Sequence, residues 1–89
     1  MLYRIFTENK NVNTIINTVE RYFEGFTLIE GIGYYKGNRE CSLCIEILIT
    51  GETPYNFKER IKSICSEINT FNKQECCLVE CIQCTYQFV

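Results

Sequence analysis

The spacing of hydrophobic residues changes repeatedly along the chain, which predicts alternating strands and helices. Residues 2–7 form a short apolar segment, which we predict to be the first strand. Residues 12–23 have apolar side chains at helical spacing, and Gly25 is expected to end this helix in the left-handed conformation. Residues 26–35 are rich in β-branched and aromatic side chains, which predicts the second strand.

The second half of the chain predicts two further strands around a second helix. Residues 41–49 alternate between apolar and polar side chains, which is the clearest strand pattern in the sequence. Thr53-Pro54 predicts the start of the second helix, with threonine as N-cap and proline at the first helical position, and residues 57–71 continue at helical spacing. Residues 74–89 predict the fourth strand. Its apolar residues change face near Cys81-Ile82, so we expect a bulge or break there.

The predicted order β-α-β-β-α-β indicates an α+β protein with the ferredoxin-like topology. We expect residues 1–89 to form a single domain with a four-stranded antiparallel sheet and two helices on one face. The first strand should lie between the fourth and third strands, with the second strand at one edge. A chain of this size buries only about 60–65% of its unfolded surface. We therefore expect a homo-oligomer, a dimer or trimer, that covers the open face of the sheet.

Composition and charge argue against several classes of function. The net charge is −2, which is unfavourable for general nucleic-acid binding. The chain has no histidine, the commonest general base and metal ligand, and we find no catalytic triad, paired-carboxylate site or phosphate-transfer loop. We therefore predict a protein that is not an enzyme and has no cofactor. No apolar segment reaches the roughly 18 residues of a membrane span, and the N-terminus does not resemble a signal peptide, so we expect a cytoplasmic protein with reduced cysteines.

Seven cysteines raise the alternative of a cysteine-based metal-binding protein. Cys41-x-x-Cys44 and Cys81-x-x-Cys84 have the spacing of zinc or redox half-sites. In a regular strand, residues three apart lie on opposite faces, so the first pair cannot bind one ion. We therefore predict no metal site. The cysteines at apolar positions are expected in the core: Cys41, Cys65, Cys77 and Cys81.

A glycine-rich segment between the second and third predicted strands is the candidate binding site. Gly37-Asn38 is predicted to form a tight turn. Glycine lets an anionic ligand approach the backbone, lysine and arginine supply positive charge, and tyrosine supplies a stacking face. The alternative interpretation is a β-hairpin with polar turn residues and no ligand. The candidate ligand-binding residues are Gly31, Gly33, Tyr34, Tyr35, Lys36, Gly37 and Arg39.

This segment, Gly31-x-Gly33-x-x-Lys36-Gly37-x-x-Glu40, resembles the PII-like superfamily of nitrogen-regulatory proteins, and the aromatic-rich second strand is similar to that of CutA-type proteins. In PII-like proteins a G-x-G-x-x-K-G segment leaves the second strand and lines an adenine-nucleotide pocket between subunits of a trimer. The resemblance implies a ligand site at inter-subunit clefts. The long loop that follows the motif in PII proteins is missing here, as is a second glycine-rich phosphate loop.

We therefore predict a non-catalytic, homo-oligomeric protein that binds a small anionic, nucleotide-derived ligand. The abundance of Asn, Ile and Lys and the small size favour a phage or mobile-element source, where such a protein would sequester a nucleotide signal used in host defence. The alternative is a protein-interaction module, or an inhibitor of a host or defence enzyme, that acts through the open sheet face.

Overall fold

The elements of the protein occur in the predicted order in a computed structural model that describes residues 1–89. The strands form one antiparallel sheet in the order β2-β3-β1-β4, which confirms the ferredoxin-like α+β fold. Neither helix is long and apolar enough to cross a membrane. The elements are β1 (Leu2–Glu8), α1 (Val12–Glu20), β2 (Thr27–Tyr35), β3 (Asn38–Leu48), α2 (Phe57–Asn72) and β4 (Leu78–Ile82).

The core lies between one face of the sheet and the two helices. Alternate residues of β1 are buried, and the register places Ile5 opposite Ile45 of β3. Both isoleucines are fully buried. The predicted apolar faces of the helices are confirmed, since both helices contribute aliphatic side chains to the same cluster. The cluster consists of Tyr3, Ile5, Ile15, Val19, Phe23, Leu43, Ile45, Ile47, Ile61, Ile64 and Ile68.

The first helix ends earlier than the sequence predicts. It stops at Glu20, and the cap residue Arg21 has a right-handed conformation. The backbone N–H groups of Tyr22 and Phe23 both donate to the Val19 carbonyl, so a turn continues from the helix and still brings Phe23 into the core. Gly25 is not among the residues with positive φ, so the prediction that it caps this helix is wrong.

The second helix begins later than predicted. Its N-cap is Asn56, and Phe57 is its first residue. The hydroxyl of Thr53 accepts a hydrogen bond from the Thr50 backbone N–H at 2.8 Å, and the Thr53 N–H donates to the Thr50 carbonyl at 3.1 Å. Because these bonds close a turn between β3 and α2, Thr53 does not cap the helix, and the prediction that the helix starts at Thr53-Pro54 is wrong.

The last strand is much shorter than the predicted segment of residues 74–89. It ends at Ile82, where the apolar residues change face, so the predicted break is confirmed. The chain then has no regular structure, and the Tyr86 hydroxyl accepts a hydrogen bond from the backbone N–H of Gly51 at 3.0 Å. The C-terminal segment therefore lies near the β3–α2 connection of its own chain.

The face of the sheet opposite the helices has an ion pair at its centre. Arg4 lies opposite Glu46 on one neighbouring strand and Glu80 on the other. The Arg4 Nε donates to Glu46 Oε2 at 2.7 Å. Apolar side chains surround this group on the same face, and no helix covers them. They belong to Leu2, Phe6, Ile29, Leu48, Leu78 and Ile82.

Candidate functional site

The predicted ligand-binding residues lie where the β2–β3 hairpin extends beyond the rest of the sheet. β2 pairs with β3 as far as Tyr35 and Asn38, whereas β1 pairs with β3 only between Ser42 and Leu48. The hairpin from residue 31 to residue 41 therefore has no strand of this chain beside it. We call this segment the free hairpin. It contains all the predicted residues: Gly31, Gly33, Tyr34, Tyr35, Lys36, Gly37 and Arg39.

The turn of the free hairpin lies one residue earlier than predicted. Lys36 has φ 50° and Gly37 has φ 79°, while Tyr35 and Asn38 are paired across the strands. Lys36 and Gly37 are therefore the two central residues of a tight turn, and the predicted Gly37-Asn38 turn is wrong. Tight hairpin turns favour left-handed conformations because these match the twist of the strands. A lysine in this conformation is unusual, since the Cβ atom crowds the backbone at a cost of about 1–2 kcal/mol.

Replacing Lys36 with asparagine is expected to stabilise the chain by up to about 1 kcal/mol, because asparagine adopts positive φ more readily. Urea unfolding of the wild type and the Lys36→Asn variant measures this difference. A lower free energy of unfolding in the variant would contradict the expectation and would mean that the lysine side chain stabilises the turn.

The two glycines of β2 leave the strand backbone without covering side chains at these positions, on one face of the free hairpin. A Cβ atom added at Gly31 would meet no atom within 4 Å. At Gly33 the nearest atom would be Ser42 Cβ at 3.6 Å, an ordinary van der Waals contact, and neither glycine has positive φ. The packing and backbone of this chain therefore do not require glycine at either position. The bare backbone is open to another molecule.

Aromatic and basic side chains surround the turn. Tyr34 and Tyr35 are 73% and 63% exposed. Lys36 Nζ lies 5.3 Å from the centre of the Tyr35 ring, and Arg39 lies opposite Tyr34. Neither Lys36 nor Arg39 takes part in an ion pair. The structure thus places the predicted residues on one exposed hairpin, with Tyr35 on one face and Tyr34 and Arg39 on the other. None of them lines the cavity described next.

A cavity of about 830 Å³ lies at the opposite end of the sheet, between the α1–β2 and β3–α2 connections. Its volume falls in the range of about 300–1,000 Å³ that is usual for small-molecule sites. Of its two arginines, Arg21 is paired with Glu67, and Arg60 donates to the Tyr22 carbonyl at 2.6 Å. The other lining side chains include the aromatic Tyr22, Phe23, Phe26 and Phe88 and the acidic Glu20, Glu24, Glu46 and Glu52.

The sequence did not predict this cavity because its residues come from several separated segments. None of these segments has a recognisable motif, and only the folded chain places them together. The excess of carboxylates over arginines makes the cavity acidic, in contrast to the basic turn of the free hairpin.

The cysteines of the two C-x-x-C segments are not gathered with further metal ligands. Cys41 and Cys44 lie on opposite faces of β3, as expected, and burial raises the pKa of the Cys44 thiol. No three histidine, cysteine, aspartate or glutamate side chains come close enough to hold an ion. Cys65 and Cys77 pack against the core as predicted. Cys41 and Cys81 are exposed, so their predicted burial is wrong; the first lies on the free hairpin and the second on the edge strand.

No family model and no curated protein matches the chain. Several solved structures share its fold, including the following two. The first is a phage SAM lyase in complex with S-methyl-5'-thioadenosine, with a TM-score of 0.68, 17% identity, and coverage of 88% of this chain and 76% of the other. The second is a DUF3240 family protein from Shewanella baltica OS155, with a TM-score of 0.62, 14% identity, and coverage of 99% and 94%. At these identities the similarity shows the fold, so the resemblance to PII-like proteins is supported at the level of a small ferredoxin-like fold.

The similarity to the lyase corrects one prediction. The sequence predicts that the chain is not an enzyme, mainly because it has no histidine and no recognisable catalytic set. The same fold occurs in an enzyme, a phage SAM lyase. The prediction that the protein is non-catalytic is therefore contradicted.

Proposed function

We propose that this chain is a homo-oligomeric enzyme that binds an adenosine-containing ligand at the free hairpin and cleaves S-adenosylmethionine. The observation that supports this most directly is the fold shared over 88% of the chain with a SAM lyase that holds S-methyl-5'-thioadenosine. The proposed relation to PII-like proteins also favours an adenine-binding site, since their corresponding segment lines such a site. The ligand is thus defined by its adenosine group rather than by a net negative charge.

The chemistry of this substrate suits a chain without histidine. The sulfur of S-adenosylmethionine is a positively charged sulfonium. In the proposed step, a carboxylate oxygen of the substrate forms a bond to the carbon attached to sulfur, and the bond between this carbon and the sulfur breaks. The sulfur keeps the electron pair and leaves as the neutral thioether S-methyl-5'-thioadenosine, and the aminobutyrate part becomes homoserine lactone. A neutral leaving group needs no proton from a general acid. Because the positive charge on sulfur disappears during the step, a poorly hydrated site favours the transition state over the charged substrate.

The free hairpin offers the groups that such a ligand needs. Tyr34 and Tyr35 provide exposed rings, one on each face of the hairpin, on which adenine can stack, and Tyr35 shares its face with Gly31 and Gly33. The bare backbone at Gly31 and Gly33 allows close approach to the peptide groups of an edge strand. The proposed role of the basic turn is to bind the carboxylate of the methionine part. The unfavourable φ of Lys36 supports a functional side chain there, since strained positions concentrate at binding sites.

A second copy of the chain would close the site. The free hairpin is exposed on both faces, and the open sheet face has apolar side chains around the pair of Arg4 and Glu46. We propose that a dimer or trimer covers the open face and places a neighbouring subunit beside the hairpin. The phage neighbour favours a phage source for this chain, and seven free thiols suit a location in the reducing cytoplasm.

The test is to incubate the purified protein with S-adenosylmethionine and to measure S-methyl-5'-thioadenosine by mass spectrometry. The wild type is expected to release it, and a Lys36→Ala, Arg39→Ala double variant is expected to show a roughly 10–100-fold lower kcat/KM. This range corresponds to the loss of about 1.5–3 kcal/mol of hydrogen bonding to a charged group. A Lys58→Ala, Lys62→Ala variant is the matched control, because it removes the same charge from exposed positions of α2.

The proposed reaction and the proposed binding site can fail independently, and different measurements test them. Absence of product from the folded wild type would contradict the proposed cleavage. Equal affinity of the wild type and the hairpin double variant for S-methyl-5'-thioadenosine, measured by calorimetry, would contradict the hairpin site. An equal loss of activity in the α2 control would show that net charge, and not the hairpin, determines binding.

A further inference from the structure

Two partly buried cysteines lie on the second helix and at the start of the last strand. Cys65 lies on α2, and Cys77 immediately precedes β4. Both side chains pack against the hydrophobic core, whereas Cys41, Cys76, Cys81 and Cys84 are exposed. These two thiols belong neither to the free hairpin nor to the cavity. Their pairing also differs from the C-x-x-C spacings in the sequence.

The surroundings of Cys77 are polar but uncharged. The amide Nε2 of Gln74 donates to Cys77 Sγ at 3.6 Å, and Cys77 Sγ lies 3.4 Å from Asn69 Oδ1. Two hydrogen bonds hold the Gln74 side chain. The Thr7 hydroxyl donates to Gln74 Oε1 at 2.9 Å, and Gln74 Nε2 donates to Asn69 Oδ1 at 3.1 Å. The position of the Cys77 sulfur is thus fixed by side chains from β1, α2 and the α2–β4 connection.

The two thiols are not equivalent. Cys65 lies one helical turn before Asn69, whose Oδ1 is 3.4 Å from Cys77 Sγ, so α2 places Cys65 beside the Cys77 side chain. Hydrogen bonding by Cys65 lowers the pKa of Cys77, burial opposes this effect, and Thr7 adds to it. The same interaction, together with burial, raises the pKa of Cys65. The Gln74 amide donates to the Cys77 sulfur, which favours a thiolate there, and the lowered pKa of Cys77 agrees with this contact. Cys77 is thus the thiol that attacks, and Cys65 is the thiol that keeps its proton. This is the arrangement of an attacking and a resolving thiol.

We propose that Cys77 and Cys65 form a peroxide-sensitive pair that closes to a disulfide between α2 and the start of β4. The Cys77 thiolate attacks one oxygen of a hydroperoxide, the S–O bond forms, the O–O bond breaks, and the departing oxygen takes up a proton. The Cys65 sulfur then attacks the sulfenic acid, the S–S bond forms, the S–O bond breaks, and the leaving hydroxide takes the Cys65 proton to form water. With hydrogen peroxide, the two thiols become one disulfide and two waters are released.

This modification site is independent of the proposed cleavage of S-adenosylmethionine. Its direct structural consequence concerns the sheet edge, since β1 is the only strand that pairs with β4. A disulfide at Cys77 ties the start of this edge strand to α2. The oxidised chain is therefore expected to resist unfolding of β4 more than the reduced chain does.

The test treats the reduced full-length protein with a few equivalents of hydrogen peroxide, blocks the remaining thiols and maps the tryptic peptides. Cleavage after Lys62 and Lys73 separates the two cysteines, so their disulfide links peptide 63–73 to peptide 74–89. The linked pair is expected in the wild type and in the Cys76→Ser control, and it is expected to be lost in Cys77→Ser. Cys76 is the matched control because it is the adjacent, exposed cysteine in the same peptide.

A Cys65→Ser variant gives a second readout. It removes the resolving thiol but keeps a hydroxyl donor beside Cys77, so the Cys77 sulfenic acid should persist and be trapped by dimedone. Circular dichroism checks that the variants fold. A linked peptide that survives in folded Cys77→Ser, or dimedone labelling of the exposed cysteines but not of Cys77, would overturn the proposal, as would the absence of the link in the wild type.

Discussion

Replacing Ile45 with alanine is expected to lower the free energy of unfolding by about 2–5 kcal/mol, because deletion of buried methyl groups leaves a cavity in the core. Ile45 has no exposed surface and lies in β3, opposite Ile5 on one side and Leu28 on the other. Small domains have a total stability of only about 5–15 kcal/mol, so this variant should lose a large fraction of it. Urea unfolding, with an unchanged m-value, measures the effect.

The matched control is Ile32→Ala, the same chemical change in the free hairpin. Ile32 is 56% exposed and pairs with Cys41, beyond the end of the contact between β1 and β3. The expected change is within about 0.5 kcal/mol, as for surface substitutions in general. A loss below about 1 kcal/mol for Ile45→Ala would contradict the central position of this residue in the core.

The sequence predicts the sheet better than the ends of the helices. In β3, Leu43 and Ile45 alternate with Cys44 and Glu46, and a period of two residues determines which face of a sheet each side chain occupies. The position of a helix end depends instead on whether a polar side chain bonds to a free N–H group of the helix or to another backbone group nearby. The Thr53 hydroxyl is a suitable cap by composition, yet in the structure it accepts a hydrogen bond within the preceding turn. The hydrogen-bond partner of this hydroxyl depends on the tertiary structure, which the local sequence does not show.

The same contrast applies to the candidate site. The free hairpin could be predicted because its glycines, tyrosines and basic residues are contiguous in the sequence. The acidic cavity could not, since Phe26, Glu52 and Phe88 come together only after folding. The exclusion of catalysis failed for a different reason. The absence of histidine excludes reactions that need its proton transfer, but it does not exclude a bond cleavage whose leaving group is a neutral thioether.

Reversing the charge of Arg4, which lies at the centre of the open sheet face, is expected to break the proposed oligomer. Arg4 lies between Glu46 and Glu80 on adjacent strands. Arg4→Glu would therefore place three carboxylates side by side in the middle of an apolar surface. Water can screen this repulsion on an exposed face, but a subunit interface would remove the water and leave the charges unpaired.

Association of the Arg4→Glu chain is therefore expected to be roughly a hundredfold weaker or more, which native mass spectrometry over a concentration series measures. Lys62→Glu is the matched control, because it makes the same change of charge at an exposed position of α2, and its oligomer should persist. A folded Arg4→Glu protein with the wild-type oligomeric mass would contradict an interface at the open face. In that case the apolar side chains around Arg4 would have to be covered by something other than a second copy of the chain, and the free hairpin would need another partner to close its site.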